Sequence, residues 1–232
     1  MRELGMIKAA IFDLDGTLLN RDASLASFVD DQYNRLAEHL EHIPQDRFAQ
    51  RFIELDAKGY VWKDKVYQQL IKEFGIKGIN WQTLLEDYLA NFKNHCVPFP
   101  NLSAMLENLT AKSIRLAMIT NGKGQFQLDN ILALRIEDYF EYILISECEK
   151  MAKPDPAIFQ KALEKLGVSA DEAVYIGDHP ENDIRAAKAV GMKTIWKKDL
   201  QWKFSAADKE ITDLNEITEW IERLNTGNLW LN

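Results

Sequence analysis

The feature that most constrains this chain is a change of hydrophobic pattern along its length. Short apolar runs of the kind that form buried strands occur over residues 8–13, 114–120, 142–146, 173–177 and 192–196. Helical patterns accompany the later runs, over residues 101–112, 123–134, 155–166 and 181–190. Because strands that alternate with helices form parallel sheets through right-handed crossovers, the sequence predicts an α/β domain built on a parallel sheet.

Residues 21–97, between the first and second of these strands, follow a different pattern. Apolar residues recur there at helical spacing in four successive segments, and the stretch contains no convincing strand-like run. The first segment extends to Pro44, the second extends to Gly59, and the fourth begins after Asn80, a residue that favours the N-cap position. The pattern predicts a four-helix bundle inserted into the sheet domain.

Pro98-Phe99-Pro100 marks the return from the bundle to the sheet domain, because proline ends helices and stiffens connections. With 232 residues, the chain is long enough for one compact core plus a sizeable insertion. We therefore predict two domains. Residues 1–20 and 98–232 form a three-layer, Rossmann-like core, and residues 21–97 form a helical cap domain.

Charge and composition exclude several classes of protein. The formal net charge is −8, whereas surfaces that follow a nucleic-acid backbone carry clustered Lys and Arg, so we expect no nucleic-acid partner. No segment approaches the roughly 20 apolar residues of a membrane span, and the N-terminal residues lack the apolar stretch of a signal peptide. Cys96 and Cys148 have neither metal-ligand nor disulfide-scaffold spacing and are expected to be reduced thiols. These features favour a cytoplasmic protein with no membrane partner.

The C-terminal segment carries one further amphipathic helix and then an apolar tail, Leu229-Trp230-Leu231. We expect this tail to dock on the core, and an oligomer contact is the alternative. The expected assembly state is a monomer or a weak homodimer.

Polar residues cluster after the strands of the predicted sheet. Asp13-Leu14-Asp15-Gly16-Thr17 follows the first strand, Thr120-Asn121-Gly122 follows the second, and Gly177-Asp178 ends the fourth. Asp183 lies five residues after Asp178, and Lys153 precedes the helix that leads to the fourth strand. Because ligands bind beyond the carboxyl ends of the strands in an open α/β sheet, we expect these residues to form one site.

The carboxylates of this site indicate a metal. Asp13 and Asp15 are alternate residues, so both enter one site only if the chain curls after Asp13, and Gly16 permits such a curl. Clustered carboxylates repel one another unless a cation sits among them. Mg2+ fits, because it prefers a few carboxylates together with waters and phosphate oxygens.

The remaining residues of the site indicate phosphate. Thr120, Asn121 and the backbone N–H groups near Gly122 can hold phosphoryl oxygens, and Lys153 adds a positive charge. Hydrolysis of a phosphate monoester can need an acceleration approaching ~10^21-fold, whereas one general acid or base contributes about 10^2 to 10^4. A nucleophile, a metal, a cation and a proton shuttle are therefore required together.

The site residues form four motifs in chain order: Asp13-Leu14-Asp15-Gly16-Thr17, Thr120 with Asn121 and Gly122, Lys153-Pro154, and Gly177-Asp178 through Asp183. In this order and spacing they resemble the motifs of the haloacid dehalogenase superfamily, phosphatase type, over roughly residues 7–197. The resemblance includes a helical cap between the first and second motifs, as in subfamily IA. It implies a Mg2+-dependent phosphatase that hydrolyses a small phosphorylated metabolite through a phospho-aspartate intermediate.

The resemblance also implies roles for individual residues. Asp13 is the nucleophile and a metal ligand, Asp15 is the general acid and base and supplies its backbone carbonyl to the metal, and Asp178 is a metal ligand. Lys153 is catalytic and also binds the substrate phosphate together with Thr120, Asn121 and Gly122.

Further residues are implied to support these groups rather than to act on the substrate. Thr17 is the last residue of the first motif, and Asp183 either binds metal-bound water or orients Lys153. His179, in the loop of the fourth motif, is expected to line the rim of the site.

Two alternatives remain open from the sequence. A phosphomutase of the same superfamily would transfer the phosphoryl group from aspartate to a sugar rather than to water. A non-catalytic binding module would use the cap groove for a protein partner, and the complete set of catalytic residues argues against it.

Overall fold

The computed structural model describes residues 6–203 and 205–227. The predictions for the N-terminal residues 1–5 and for the tail Leu229-Trp230-Leu231 therefore fall on residues outside the described part of the chain. The described chain consists of two compact units. Arg21–Val97 forms one of them, and the rest of the described chain forms the other.

A six-stranded sheet, parallel throughout, organises the larger unit. Its strands are β1 (Ala9–Phe12), β2 (Arg115–Thr120), β3 (Tyr142–Ile145), β4 (Ala173–Gly177), β5 (Lys193–Lys197) and β6 (Lys209–Ile211). Their order in the sheet is β3-β2-β1-β4-β5-β6, so the crossovers return on both sides of the central strand β1. The predicted parallel α/β architecture is confirmed, and each of the five predicted strands is present.

The sixth strand, β6, was not predicted. Its three residues are Lys209, Glu210 and Ile211, of which Ile211 alone is buried, and it pairs with β5 at the edge of the sheet. An edge strand needs only one covered side, so it lacks the continuous apolar run that identified the central strands.

Helices make up the smaller unit. They are α1 (Arg21–Arg35), α2 (Ala37–Leu40), α3 (Gln45–Asp56), α4 (Lys63–Phe74) and α5 (Trp81–Asn91). The four predicted helices are present, and the side chain of Asn80 accepts a hydrogen bond from Thr83 N at the start of α5, as expected of an N-cap. The first helix does not continue to Pro44, however, because it is interrupted at Leu36 and resumes as the short α2.

An aromatic core and a buried group of charges hold the helical unit together. Phe28, Phe48, Phe52 and Tyr67 are fully buried, and the rings of Phe52 and Tyr67 meet edge to face at 5.4 Å. The Asp56 carboxylate, 1% exposed, accepts hydrogen bonds from Arg21 and Lys63. Burial favours a raised pKa for Asp56, but the two cations outweigh burial and hold the pKa below its ordinary value.

Further helices cover the sheet. They are α6 (Leu102–Ala111), α7 (Gly124–Leu134), α8 (Ser146–Glu149), α9 (Pro156–Leu166), α10 (Ala186–Ala189) and α11 (Asn215–Thr226). α9 packs on β2 and β3 through Ile158, Phe159 and other buried residues, whereas α6 packs on β2 and against α11. Among the described residues, none of the helices has the length and apolar character that crossing a membrane requires. Neither Cys96 nor Cys148 forms a disulfide.

Candidate active site

Asp13 is the first residue after β1, at the carboxyl edge of the sheet, and its side chain is buried. One carboxylate oxygen, Oδ1, lies 2.6 Å from Lys153 Nζ, and the other, Oδ2, accepts a hydrogen bond of 3.1 Å from Thr17 Oγ1. The chain turns back at Gly16, whose N–H donates to Leu19 O. Both oxygens of the carboxylate are thereby held in fixed directions.

Gly16 is required at this turn for two reasons. Its φ of +83° is a conformation that residues with a Cβ rarely adopt, and a Cβ at this position would lie 2.3 Å from Asp178 Oδ2. The absence of a side chain at Gly16 therefore allows the loop after β1 to approach the loop after β4.

Lys153 joins the first and fourth motifs. Its side chain is 4% exposed, and Nζ donates to Asp13 Oδ1, to Asp183 Oδ1 at 2.7 Å and to the Tyr175 hydroxyl at 3.1 Å. Burial disfavours the ammonium, but the charges of Asp13 and Asp183 outweigh burial and raise the pKa of Lys153 well above its ordinary value. Lys153 is therefore charged, and it is a buried residue rather than a surface lysine.

Asp183 reaches this position through an unusual helical turn. Residues Pro180–Arg185 form a π-helix, a rare conformation that is frequently found at functional sites. His179 precedes this turn, and its ring Nδ1 accepts hydrogen bonds from the backbone N–H groups of Glu181 and Asn182. The backbone N–H of His179 donates to Asp183 Oδ2 at 3.0 Å. The imidazole of His179 thus stabilises the loop that carries Asp183.

Three carboxylates converge at this edge. Asp13, Asp178 and Asp183 each contribute an oxygen, and these three atoms lie within 4.8 Å of one another. Burial raises the pKa of Asp13 to about 7 despite the nearby Lys153, and burial together with the charges of Asp13 and Asp183 raises the pKa of Asp178 well above its ordinary value. If all three were ionised, their charge would exceed what one lysine neutralises.

These residues fit a divalent cation. Oxygen ligands of Mg2+ lie about 2.1 Å from the ion, so two of them are separated by at most about 4.2 Å, close to the spacing observed here. A cation would also favour the ionised forms of Asp13 and Asp178, which burial alone disfavours. The carboxylates of the site could therefore hold Mg2+.

The second motif lies beside Lys153. Thr120 is buried at the end of β2, whereas Asn121 and Gly122 are exposed. The side chain of Asn121 donates to Lys153 O and accepts from Lys153 N, both at 2.9 Å, and Gly122 N donates to Ser146 Oγ. The side-chain amide of Asn121 therefore fixes the backbone of Lys153 beside the turn that follows β2.

Asp15 is partly exposed, and its Oδ2 accepts a hydrogen bond of 2.7 Å from Gln127 Nε2. The predicted contribution of its backbone carbonyl to the metal stays a prediction.

The structure adds residues that sequence reasoning missed. Gln127, on α7, links Asp15 with Thr120. Tyr175, in the middle of β4, contacts Lys153 and Asp183 through its hydroxyl group, and Trp196 Nε1 donates to Asp178 O at 2.7 Å. A buried hydroxyl in an otherwise apolar strand was a usable signal for Tyr175. Gln127 gave no such signal, because a glutamine in the first turn of a helix is ordinarily solvated and its burial depends on the fold.

The parallel core and the carboxylates beyond β1 and β4 define a hydrolase of the haloacid dehalogenase type. Residues 10–197 match the sequence model of the family described as haloacid dehalogenase-like hydrolase, which is most of the chain. The chain belongs to this family, and the resemblance deduced from the four motifs is confirmed.

Among the relatives of this chain are two proteins named glyceraldehyde 3-phosphate phosphatase. The one from Pyrococcus abyssi is 34% identical, with 96% of this chain and 97% of that protein covered. The one from Pyrococcus furiosus is 39% identical over 54% of this chain, which spans only 55% of that protein. A solved structure described as a HAD phosphatase from Thermococcus onnurineus is 27% identical, has a TM-score of 0.66, and is aligned over 93% of this chain and 98% of that chain. These names agree with the predicted enzyme class.

Proposed function

We propose that this chain is a Mg2+-dependent phosphomonoesterase that hydrolyses a small phosphorylated metabolite through a phospho-aspartate on Asp13. The observation that carries the proposal is the position of the buried Asp13 carboxylate. It accepts a hydrogen bond from the Lys153 ammonium, which also binds Asp183, and it lies in one cluster of carboxylates with Asp178 and Asp183. The names of the relatives support a phosphatase, since two of those aligned over more than nine-tenths of this chain are named glyceraldehyde 3-phosphate phosphatase, and a third is named putative pyrophosphatase.

In the first step, a carboxylate oxygen of Asp13 forms a bond to phosphorus. The bond from phosphorus to the ester oxygen breaks, its electron pair stays on that oxygen, and Asp15 protonates the departing alcohol. Mg2+, held by the carboxylates of Asp13 and Asp178, would supply positive charge for the phosphoryl oxygens. Lys153, with the Thr120 hydroxyl and the backbone N–H groups of the following turn, binds the same oxygens.

In the second step, a water molecule attacks the phosphorus of the phospho-aspartate. Asp15, now ionised, accepts the proton of the water, and the bond between Asp13 and phosphorus breaks to return the carboxylate. The products are the alcohol and inorganic phosphate. In a phosphomutase, a sugar hydroxyl would take the place of water, and the released product would be an isomeric phosphate.

We further propose that residues 21–97 act as a cap that selects the substrate, and that the protein is a monomer or a weak homodimer. The presence of two compact units supports the cap assignment. Glyceraldehyde 3-phosphate is the first candidate substrate, because full-length relatives carry that name. Sugar phosphates, nucleotides, pyridoxal phosphate and flavin mononucleotide complete a suitable panel.

The test is to measure phosphate release from this panel by the wild-type protein and by Asp13→Asn, with Mg2+ present. Removing the nucleophile should lower kcat by about 10^4-fold or more. Asp171→Asn is a matched control, because Asp171 is exposed and lies outside the site. Asp13→Asn with more than about one per cent of wild-type activity would refute the proposal. Formation of an isomeric phosphate without phosphate release would favour a phosphomutase.

A further inference from the structure

A buried glutamine connects the two parts of the site that belong to different motifs. Gln127 is 2% exposed, and its Nε2 lies 2.7 Å from Asp15 Oδ2, 2.6 Å from Thr120 Oγ1 and 3.3 Å from Asn121 O. A buried polar group of this kind is costly unless its hydrogen bonds are made. Here the amide group makes them with residues to which the proposed mechanism assigns a role.

A neighbouring buried side chain fixes the orientation of the Gln127 amide. Asn130, one turn further along α7 and fully buried, donates through Nδ2 to Gln127 Oε1 at 3.3 Å. Since Oε1 accepts this bond, Nε2 and its two hydrogens face Asp15 and Thr120. Two hydrogens serve three acceptors, and the two shortest distances are those to Asp15 and Thr120.

This orientation has a chemical consequence for each partner. Asp15 Oδ2 is an acceptor from Gln127, so Oδ1 is the oxygen left to exchange a proton with the ester oxygen or with water. Thr120 Oγ1 also accepts from Gln127, so the hydroxyl hydrogen of Thr120 is free to be donated to a phosphoryl oxygen. One amide group therefore fixes the polarity of two side chains.

The turn after β2 leaves room for this side chain. A Cβ at Gly122 would lie 2.8 Å from Gln127 Cγ and 3.0 Å from its Cδ, so a larger residue there would displace the glutamine. The glycine of the second motif thus admits Gln127 to the site.

We propose that Gln127 is a positioning residue that presents Asp15 Oδ1 to the leaving group and the Thr120 hydroxyl to the phosphate. This inference rests on the proposed function. Gln127 does not touch the substrate; it acts through the two residues that it orients.

The test uses two variants and one control. Gln127→Glu keeps the shape but replaces the donor by an acceptor, which repels Asp15 and reverses the Thr120 hydrogen bond. Gln127→Met removes the donor without adding charge and serves if the first variant unfolds. Gln125→Glu is the control, because Gln125 is exposed on the same helix and the added charge is the same.

The measured quantity is kcat/KM for an alkyl phosphate and for p-nitrophenyl phosphate. A misplacement of about 1 Å can lower the rate about 100-fold, and we expect Gln127→Glu to lower kcat/KM for the alkyl ester by this amount. p-Nitrophenolate leaves with little help from an acid, so kcat/KM for p-nitrophenyl phosphate should fall by about 10-fold or less. Gln127→Met should also lower the ratio of kcat/KM for the alkyl phosphate to kcat/KM for p-nitrophenyl phosphate, and Gln125→Glu should leave this ratio unchanged.

If Gln127 had a purely structural role, its substitution would lower kcat/KM for both substrates equally, because it would reduce only the amount of folded enzyme. Equal losses, or a wild-type ratio in both Gln127 variants, would overturn the inference. Asp13→Asn measured in parallel separates this failure from that of the proposed function. If Asp13→Asn is inactive while the Gln127 variants keep the wild-type ratio, only the role of Gln127 fails; if Asp13→Asn is active, the proposed function fails first.

Discussion

Raising the pH should destabilise the metal-free protein through Asp13. Burial, which outweighs the attraction of the Lys153 ammonium, raises the pKa of Asp13 from 3.8 to about 7. In the unfolded chain the carboxyl group regains its ordinary pKa, so in the range between these two values the unfolded state has lost a proton that the folded state still binds. Stability falls with rising pH wherever the folded state binds more protons than the unfolded state. The stability that the buried, protonated Asp13 contributes is therefore lost as the pH rises through that range.

The magnitude follows from the two pKa values. Each tenfold change in proton affinity corresponds to about 1.4 kcal/mol. By neutral pH, Asp13 has therefore lowered the free energy of unfolding by about 4 kcal/mol relative to acid pH. Roughly half of it, about 2 kcal/mol, develops between about pH 5 and pH 7. Burial also raises the pKa of Asp178, which adds to the same trend. Mg2+ should oppose the trend, because it favours the ionised carboxylates.

The assay is urea unfolding of the wild-type protein and of Asp13→Asn in excess chelator, at several pH values from about 5 to 7. Asn cannot ionise, so the variant should gain about 2 kcal/mol relative to wild type across this range. Asp171→Asn, a change at an exposed site, should stay parallel to wild type. Adding Mg2+ at neutral pH should stabilise wild type more than Asp13→Asn.

A constant difference between wild type and Asp13→Asn from pH 5 to pH 7, on the order of a few tenths of a kcal/mol or less in its variation, would refute the reasoning. A pH trend of equal size in Asp171→Asn would assign the effect to overall charge and not to the buried site.

The remaining predictions concern the general acid, the metal and the helical unit. Asp15→Asn should lower kcat/KM far more for alkyl phosphates than for p-nitrophenyl phosphate and should accumulate phosphoenzyme with the aryl ester, detected by intact mass; equal slowing without phosphoenzyme would contradict the role. Chelation should abolish activity, Mg2+ should restore it and Ca2+ should restore little, because its bonds are longer; full activity in chelator would exclude the metal. Replacing residues 22–95 by a short linker should flatten the preference among phosphoesters, whereas an unchanged ranking from a folded protein would argue against a cap. Lys63→Met should cost about 3–5 kcal/mol in urea unfolding, because it removes a partner of the buried Asp56, with Lys65→Met as an exposed control; equal effects of the two variants would contradict this.

The site was predictable from sequence to the extent that the backbone determines it. Residues that follow consecutive parallel strands must meet at one edge, so the approach of Asp13, Lys153 and Asp178 could be deduced from their order and spacing. The surroundings of each side chain could not. As a single residue, Lys153 resembled a surface lysine, and its burial between Asp13 and Asp183 became evident only from the fold.

The sequence by itself determined the parallel sheet, the inserted helices and the chemistry at the strand ends, because hydrophobic periodicity and short motifs record local structure. Only the tertiary structure decided the edge strand β6, the interruption of the first helix at Leu36 and the partners of Gln127 and Tyr175. The partners of Gln127 and Tyr175 depend on contacts between residues far apart in the chain. Gln127 and Asp15 are separated by 112 positions, and no local pattern records which distant carboxylate a buried amide will meet.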